Sequence, residues 1–266
     1  MRTYLLFYFF LLLVPVIGFS KKKEEINLTN ISGEAVGTEN ESLKKVRTRA
    51  VNAAKVNALK EAGIQENITT YTDYFQSETK QEYEELFASS IFTNIQGAVT
   101  DVEIIKTDKS FTSDNLLQVK VFINCTVIKY KTKTDLSFDF KVDDIRPNYD
   151  NDDLLTFRFS PYNDGFLKIF IFTRNESYQL YPNNYENSKS FRKGNNYTFP
   201  LEEINYRLET DKRSQMHRIV FVFSKTDIPY TKQVDYKQIF DWIFRIPPDI
   251  RKVKSFSFTV FNESVS

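Results

Sequence analysis

Apolar and polar side chains alternate from Leu116 to Tyr130, and this pattern constrains the fold more than any other segment of the chain. A two-residue period is typical of a β-strand with one face buried and the other in contact with solvent. The apolar positions are Leu117, Val119, Val121, Ile123, Cys125 and Val127. The sequence therefore predicts a half-buried strand, whose apolar face requires a second layer.

An alanine-rich segment upstream predicts a helix that packs close against a sheet. Thr38 and Glu41 have the spacing of a capping box, and Gly63 stands where a C′ glycine commonly ends a helix. A first strand is predicted just before this helix, at Asn27–Val36. Helical spacing places most of the small and apolar side chains on one side of the helix: Leu43, Val46, Ala50, Ala53, Ala54, Ala58 and Ala62.

Two further elements complete the predicted N-terminal unit. Glu78–Phe92 carries apolar side chains at helical spacing, and Ala98–Thr107 is predicted to be extended. We therefore expect an α+β domain of β-α-α-β-β order over residues 21–137. The polar residues 138–153, with Pro147, are expected to link it to a second domain at 154–266.

The C-terminal part predicts a different architecture. Short apolar segments separated by turns indicate a β-sandwich. A late amphipathic helix is predicted at Val234–Phe244, and a final strand at Val253–Phe261. The fold class is therefore α+β, with the β-α-α-β-β domain followed by an all-β sandwich-like domain. Its earlier strands are predicted at Leu154–Ser160, Gly165–Thr173, Tyr178–Tyr181, Asn196–Phe199, Ile204–Leu208 and His217–Ser224.

The N-terminus has the pattern of a signal peptide. A basic start at Arg2 precedes an apolar run, and the small residues Gly18 and Ser20 follow it. We expect a signal peptide over residues 1–20 and export to the periplasm or the cell envelope. The alternative is an uncleaved membrane anchor, the one case in which we expect the chain to contact a membrane.

The composition and the rare cysteine and histidine limit the partners and the catalytic groups that the chain can have. The 36 basic and 35 acidic side chains nearly balance, so we expect no nucleic-acid partner. Cys125 is the only cysteine and cannot form an internal disulfide. A buried thiol is favoured for it over a nucleophile, because His217, the only histidine, lies in another predicted strand. We expect no cofactor, metal or catalytic residue.

The carboxylates leave two alternatives open, a calcium site and a site for glycoside hydrolysis. Oxygen-rich loops can bind calcium, but the acidic cluster lacks the glycine and terminal glutamate of an EF-hand and is better explained as a solvated linker. A pair of carboxylates for glycoside hydrolysis remains an alternative, although no pair is selected by its position. The cluster consists of Asp143, Asp144, Asp150, Asp152 and Asp153.

Aromatic side chains around one polar segment supply the candidate interaction surface. Phe166, Phe170 and Phe172 alternate within a predicted strand and are expected in the core. Exposed aromatic side chains are common at sites that bind partners. We assign Tyr181, Tyr185 and Phe191 to such a surface, with a core position as the alternative.

Four segments of the C-terminal half carry a family pattern: Asp164–Phe170, Leu180-Tyr181-Pro182-Asn183, Phe199-Pro200 and Ile219–Lys225. In order and spacing they resemble the bacterial domain of unknown function 4384, which has a "dGYlyif" strand, an "LfPN" turn and a later "fvlfsk"-like strand. The similarity spans roughly residues 150–230, and Phe166 stands where the family often has tyrosine.

A second resemblance concerns the N-terminal half. Ser32–Ala35 followed by Arg47–Leu59 is similar to the N-terminal module shared by small bacterial envelope lipoproteins and the flagellar T-ring protein. The similarity covers about residues 28–130. The lipoprotein members carry a lipidated cysteine, which this chain lacks.

Both resemblances imply an exported bacterial envelope protein, and neither implies a catalytic site. We therefore expect a non-enzymatic binding or structural protein that contacts an envelope protein or glycan. The alternatives are a carboxylate-dependent hydrolase of envelope glycans and a membrane-anchored accessory subunit of an envelope assembly.

Overall fold

The chain has a β-rich α+β fold, which confirms the predicted class at that level. The computed structural model describes residues 23–65, 68–76, 96–173 and 176–265. The predicted signal peptide and the predicted helix Glu78–Phe92 lie outside these residues. No helix within the described ranges has the length and apolar character needed to cross a membrane.

The N-terminal sheet has three antiparallel strands in the order β1-β3-β2. They are β1 (Lys23–Val36), β2 (Gly97–Phe111) and β3 (Leu117–Tyr130). The alternation predicted for β3 is confirmed, because its inward side chains from Val119 to Val127 are buried. Cys125 belongs to this buried face.

Helix α1 (Leu43–Glu61) covers the buried face of this sheet. It begins later than predicted, because Glu41 N donates to Thr38 O and closes a turn ahead of the helix. Ser42 is the N-cap, and its Oγ accepts from Lys45 N at 3.4 Å. The predicted end is confirmed: Gly63 has a φ of +74°, and Ile64 N donates to Leu59 O at 2.9 Å.

The alanine stripe allows α1 to lie directly on the backbone of β1. A Cβ atom on Gly33 would stand 2.1 Å from Ala54 N and 2.3 Å from Ala50 O. Such distances are far inside van der Waals contact, so only glycine fits at this crossing. The predicted close packing of helix on sheet is therefore confirmed, and Gly33 is the strand residue that permits it.

A short helix, α2 (Ile68–Gln76), follows α1 and was not predicted. Its Tyr71 is fully buried, and the hydroxyl donates to Gly97 O at 2.7 Å and accepts from Gly97 N at 2.9 Å. This contact joins α2 to the start of β2.

The C-terminal part contains two sheets that pack face to face. The larger sheet has the order β5-β12-β11-β7-β8, with β9 also paired to β7. The smaller sheet has the order β10-β6-β4. The strands are β4 (Phe140–Asp143), β5 (Asn148–Asp150), β6 (Phe157–Pro161), β7 (Gly165–Phe172), β8 (Ser177–Tyr181), β9 (Ser190–Phe191), β10 (Tyr197–Phe199), β11 (Ser214–Ser224) and β12 (Arg251–Phe261).

Aromatic rings fill the space between these two sheets. Phe157 and Phe159 of β6 meet Phe221 and Phe223 of β11, with ring centroids 5.3 and 5.4 Å apart. Phe140 of β4 lies 5.8 Å from Phe223. Edge-to-face pairs of this kind add to the stabilisation from burial. The predicted strand Ile204–Leu208 is wrong: this segment makes only an isolated bridge between Arg207 and Leu154.

The expected linker at residues 138–153 is a structural part of the sandwich. It supplies β4 and β5, and Phe138, Phe140 and Tyr149 are buried in the aromatic core. The polar residues of the segment alternate with these aromatic residues, so its overall composition resembles a linker although one face is apolar.

Helix α3 (Tyr236–Phe244) lies between the C-terminal sheet and the N-terminal unit. Asp235 caps it, accepting from Gln238 N at 2.8 Å. Its apolar side is buried as predicted, and it shares one core with α1, β3, β7 and β11. The 3-10 turn Pro248–Ile250 follows and leads into β12.

The contact at Gly33 predicts a large effect on stability. We expect Gly33→Ala to lower the free energy of unfolding by roughly 3 kcal/mol, because the added methyl group forces the α1 backbone away from β1. Chemical denaturation measures this difference. Gly194→Ala is the control, since nothing lies within 4 Å of its added Cβ and only its φ of +78° opposes it, at about 1 kcal/mol. Equal losses in the two variants would show that the close approach at Gly33 is unimportant.

Candidate functional site

Two of the three residues assigned to the interaction surface are buried, which corrects that assignment. Tyr181 and Phe191 are fully buried in the aromatic core. The Tyr181 ring lies 5.2 Å from Phe199 and 5.7 Å from Phe191, centroid to centroid. These side chains stabilise the sandwich and are inaccessible to a partner.

Tyr185 is the exposed member of the three, with 75% of its surface accessible. It stands on the connection between β8 and β9, residues 182–189, which we call the Tyr185 loop. The bond between Tyr181 and Pro182, where the loop begins, is cis. The strands on either side of the loop, β8 and β9, both pair antiparallel with β7.

Asn183 organises the first half of the Tyr185 loop. Its Oδ1 accepts from Tyr185 N at 2.8 Å and from Glu186 N at 2.9 Å. Its Nδ2 donates to Leu180 O at 2.7 Å and to Glu186 Oε2 at 2.8 Å. Asparagine suits this position because its side chain can pair with the backbone of a turn. The asparagine of the LYPN segment therefore holds the backbone of Tyr185 in one conformation.

Glu186 anchors the same loop from inside the protein. Its carboxylate is buried, and it accepts hydrogen bonds from Leu201 N at 2.6 Å and from the Tyr206 hydroxyl. Burial has the larger effect on the pKa of Tyr206 and the adjacent Glu186 carboxylate the smaller one, and both raise it. The hydroxyl therefore stays protonated and is the donor of its hydrogen bond to Glu186. A buried carboxylate is stable only when such donors surround it.

The second half of the loop is joined to the sheet by polar contacts. Tyr181 Oη donates to Asn187 O at 2.9 Å and accepts from Lys189 N at 3.2 Å. Buried Lys168 of β7 binds Asp227 Oδ1 at 2.6 Å, and Ser188 Oγ donates to Asp227 Oδ2 at 3.2 Å. The exposed Tyr185 ring thus extends from a loop that is fixed on both sides.

Cys125 fits the buried-thiol interpretation. Burial raises its pKa, with a smaller opposite effect from Lys55. A thiol in this environment is protonated at neutral pH, whereas a nucleophile requires the thiolate.

Most of the acidic residues considered for calcium are paired with cations. Asp143 Oδ1 lies 2.8 Å from Lys141 Nζ. Asp144 Oδ2 lies 2.7 Å from Arg158 Nη2, and Asp153 Oδ2 lies 2.8 Å from Arg146 Nη2. Within the described ranges no group of three acidic, histidine or cysteine side chains is placed to hold a metal ion. Asp152 Oδ1 lies 3.4 Å from Arg207 Nη1.

His217 is buried among apolar neighbours on β11. Its ring lies 5.3 Å from that of Phe258, and neither nitrogen has a hydrogen-bond partner among the described residues. Burial lowers its pKa to about 4, so the ring is neutral at pH 7.

The Tyr185 loop lies inside a segment with a known family pattern. Residues 148–227 match DUF4384, a domain of unknown function. The DUF4384 segment runs from β5 through β11 and ends before α3. No curated protein matches the chain. The match does not extend to the N-terminal half, where the resemblance to the lipoprotein and T-ring module remains a prediction.

Glu186 is the important residue of this region that sequence reasoning missed. The available signal was its spacing from Asn183, since an asparagine side chain can bond to the backbone two or three residues further on. Nothing in the sequence showed that the carboxylate would be buried, because its donors, Leu201 and Tyr206, lie 15 and 20 residues further along the chain, beyond the reach of a local pattern.

The position of His217 predicts an acid-sensitive stability. Its pKa is 6.5 when unfolded and about 4 when folded, so the unfolded chain binds more protons between these values and stability falls as the pH drops from 6.5 to 4. The loss is about 3 kcal/mol at most, at 1.36 kcal/mol per unit of pKa. Urea denaturation across this range measures it.

His217→Leu is the matched variant for this test, and we expect its stability to be nearly constant between pH 6.5 and 4. The carboxylates with lowered pKa, such as Asp139 and Asp164, lose their contribution mainly below pH 4. An unchanged pH dependence in His217→Leu would contradict the prediction.

Proposed function

We propose that the chain is an exported bacterial cell-envelope protein of non-enzymatic binding type, which contacts a protein or glycan partner through the Tyr185 loop. The observation that carries this proposal is the exposure of Tyr185 on a loop fixed by Asn183, Glu186 and Lys168. An aromatic side chain on an ordered loop loses little conformational freedom on binding, which favours affinity.

The envelope assignment follows the resemblance to the lipoprotein and T-ring module that the sequence of the N-terminal half predicts. In this proposal residues 1–20 are a signal peptide, residues 21–137 form the envelope module, and the sandwich carries the contact surface. The partner is an envelope protein or a glycan.

Export predicts a shortened product in cells. We expect the mature protein to begin after Gly18 or Ser20, because the basic start and the apolar run before these small residues direct cleavage. Fractionation of cells, followed by intact mass measurement, tests this. A full-length product in the membrane fraction would favour the anchored alternative, and a full-length product in the cytoplasm would contradict export.

The contact surface is tested by cross-linking in envelope extract and recovery of the protein with its partners. We expect Tyr185→Ala to reduce the amount of specific cross-linked partner at least fivefold. Tyr162→Ala is the control, because Tyr162 is also exposed, at 50%, and lies in another turn. Equal recovery from the wild-type protein and from Tyr185→Ala would show that the loop is not the interface.

A further inference from the structure

The exposed surface of the Tyr185 loop is polar apart from the ring of Tyr185. Its other exposed side chains are Asn184, Asn187, Ser188 and Lys189. Among the described residues, no second large apolar or aromatic side chain of residues 182–189 is exposed. Protein interfaces depend on clusters of apolar and aromatic side chains that exclude water around a central anchor. A single ring among polar side chains favours a ligand rich in hydroxyl groups.

Two uncommitted amides flank the ring. Asn184 precedes Tyr185, and Asn187 follows it by two positions. Neither side chain makes a hydrogen bond with any residue that the structure describes, whereas the amide of Asn183 is used within the loop. A side-chain amide offers an oxygen acceptor and two N–H donors. It can therefore accept from one hydroxyl of a sugar and donate to the neighbouring hydroxyl.

The Tyr185 ring supplies a surface on which a sugar can pack. The faces of a pyranose ring carry C–H groups, whereas the face of an aromatic ring is electron-rich and attracts weakly positive groups. Because Asn183 holds the backbone of Tyr185 through the hydrogen bonds to residues 185 and 186, packing on the ring costs little conformational freedom.

The charge that the loop presents to solvent is positive. Glu186 is 1% exposed and accepts from Leu201 N, so its carboxylate is not presented to a ligand. Asp227, which accepts from Ser188 Oγ, is paired with Lys168 at 2.6 Å. Lys189 is exposed and has no ion pair within the described part of the chain. An exposed cation beside a sugar surface favours a glycan that carries carboxylates.

We propose that the Tyr185 loop binds an acidic glycan, a chain of sugars that includes uronic acids. One sugar packs on the ring of Tyr185, and its hydroxyls pair with the amides of Asn184 and Asn187. A carboxylate of the same or the next sugar pairs with Lys189. This inference rests on the proposed function and deepens it, because it selects a glycan over a protein as the partner of the same loop.

The test is isothermal titration calorimetry of the mature protein with trigalacturonate, and maltotriose is the neutral comparison ligand. We expect saturable binding of trigalacturonate that is at least fivefold tighter than that of maltotriose and weakens as salt rises. Tyr185→Ala is expected to bind both at least tenfold more weakly, whereas Tyr185→Phe keeps the ring and binds like the wild type. Tyr162→Ala is the control at another exposed ring and is expected to bind normally.

Lys189→Gln separates the charge from the packing of the sugar. We expect it to lower trigalacturonate binding to the level of maltotriose and to leave maltotriose binding unchanged. Lys109→Gln removes the same charge from an exposed position of β2 and is expected to have no effect. The double variant Asn184→Ala, Asn187→Ala is expected to bind both sugars about fivefold more weakly. A denaturation curve for each variant verifies that it is folded.

Three outcomes would overturn the inference: no saturable binding of trigalacturonate, equal affinity for both sugars, or full binding by Tyr185→Ala. Loss of a cross-linked protein partner in Tyr185→Ala, without binding of either sugar, would overturn the inference alone, because the loop would then bind a protein as the proposed function allows. If Tyr185→Ala retained both its cross-linked partner and its sugar binding, the proposed function would fail as well.

Discussion

The pairing of β7 with β11 is the interaction on which the rest of the structure depends. Successive residues of a strand point to opposite faces, and both faces of this pair are buried. Ile169 and Phe221 face the aromatic sandwich, whereas Phe170 and Val220 face α3 and the N-terminal unit. The two strands are therefore the common wall of two cores. Sheets covered on both faces have nearly continuous apolar strands, and these two strands follow that rule.

Arg251 closes the core that lies between α3 and the N-terminal unit. It is buried, and its guanidinium donates to Ile243 O and to Ile246 O, the latter at 2.8 Å. A cation at the C-terminal end of a helix is favoured by the helix dipole. Burial lowers the pKa of Arg251 to about 10, with opposite contributions from Tyr130 and Tyr71, so it remains charged at neutral pH. This contact joins the end of α3 to β12 next to tyrosines of the N-terminal unit.

The residues that carry the family resemblance are mainly structural. In the LYPN segment, Tyr181 fills the core and Asn183 bonds to the loop backbone. Tyr185, the exposed residue, lies just outside this motif. The pattern therefore identifies a way of building the loop, and it does not include the residue that the loop exposes. This separation explains why a clear family pattern carries little information about the partner.

The sequence by itself determined the type and the buried face of those elements whose apolar side chains recur at regular spacing. The alternation of β3, the alanine stripe of α1 and the apolar side of α3 were read from spacing alone, and the structure bears them out. Only the tertiary structure decided which aromatic side chains are buried, because Tyr181, Tyr185 and Phe191 occur in similar local sequence. Their exposure depends on β6 and β10, which pack over two of them and leave the third in solvent. Burial is a property of contacts between distant segments, and no local pattern records those contacts.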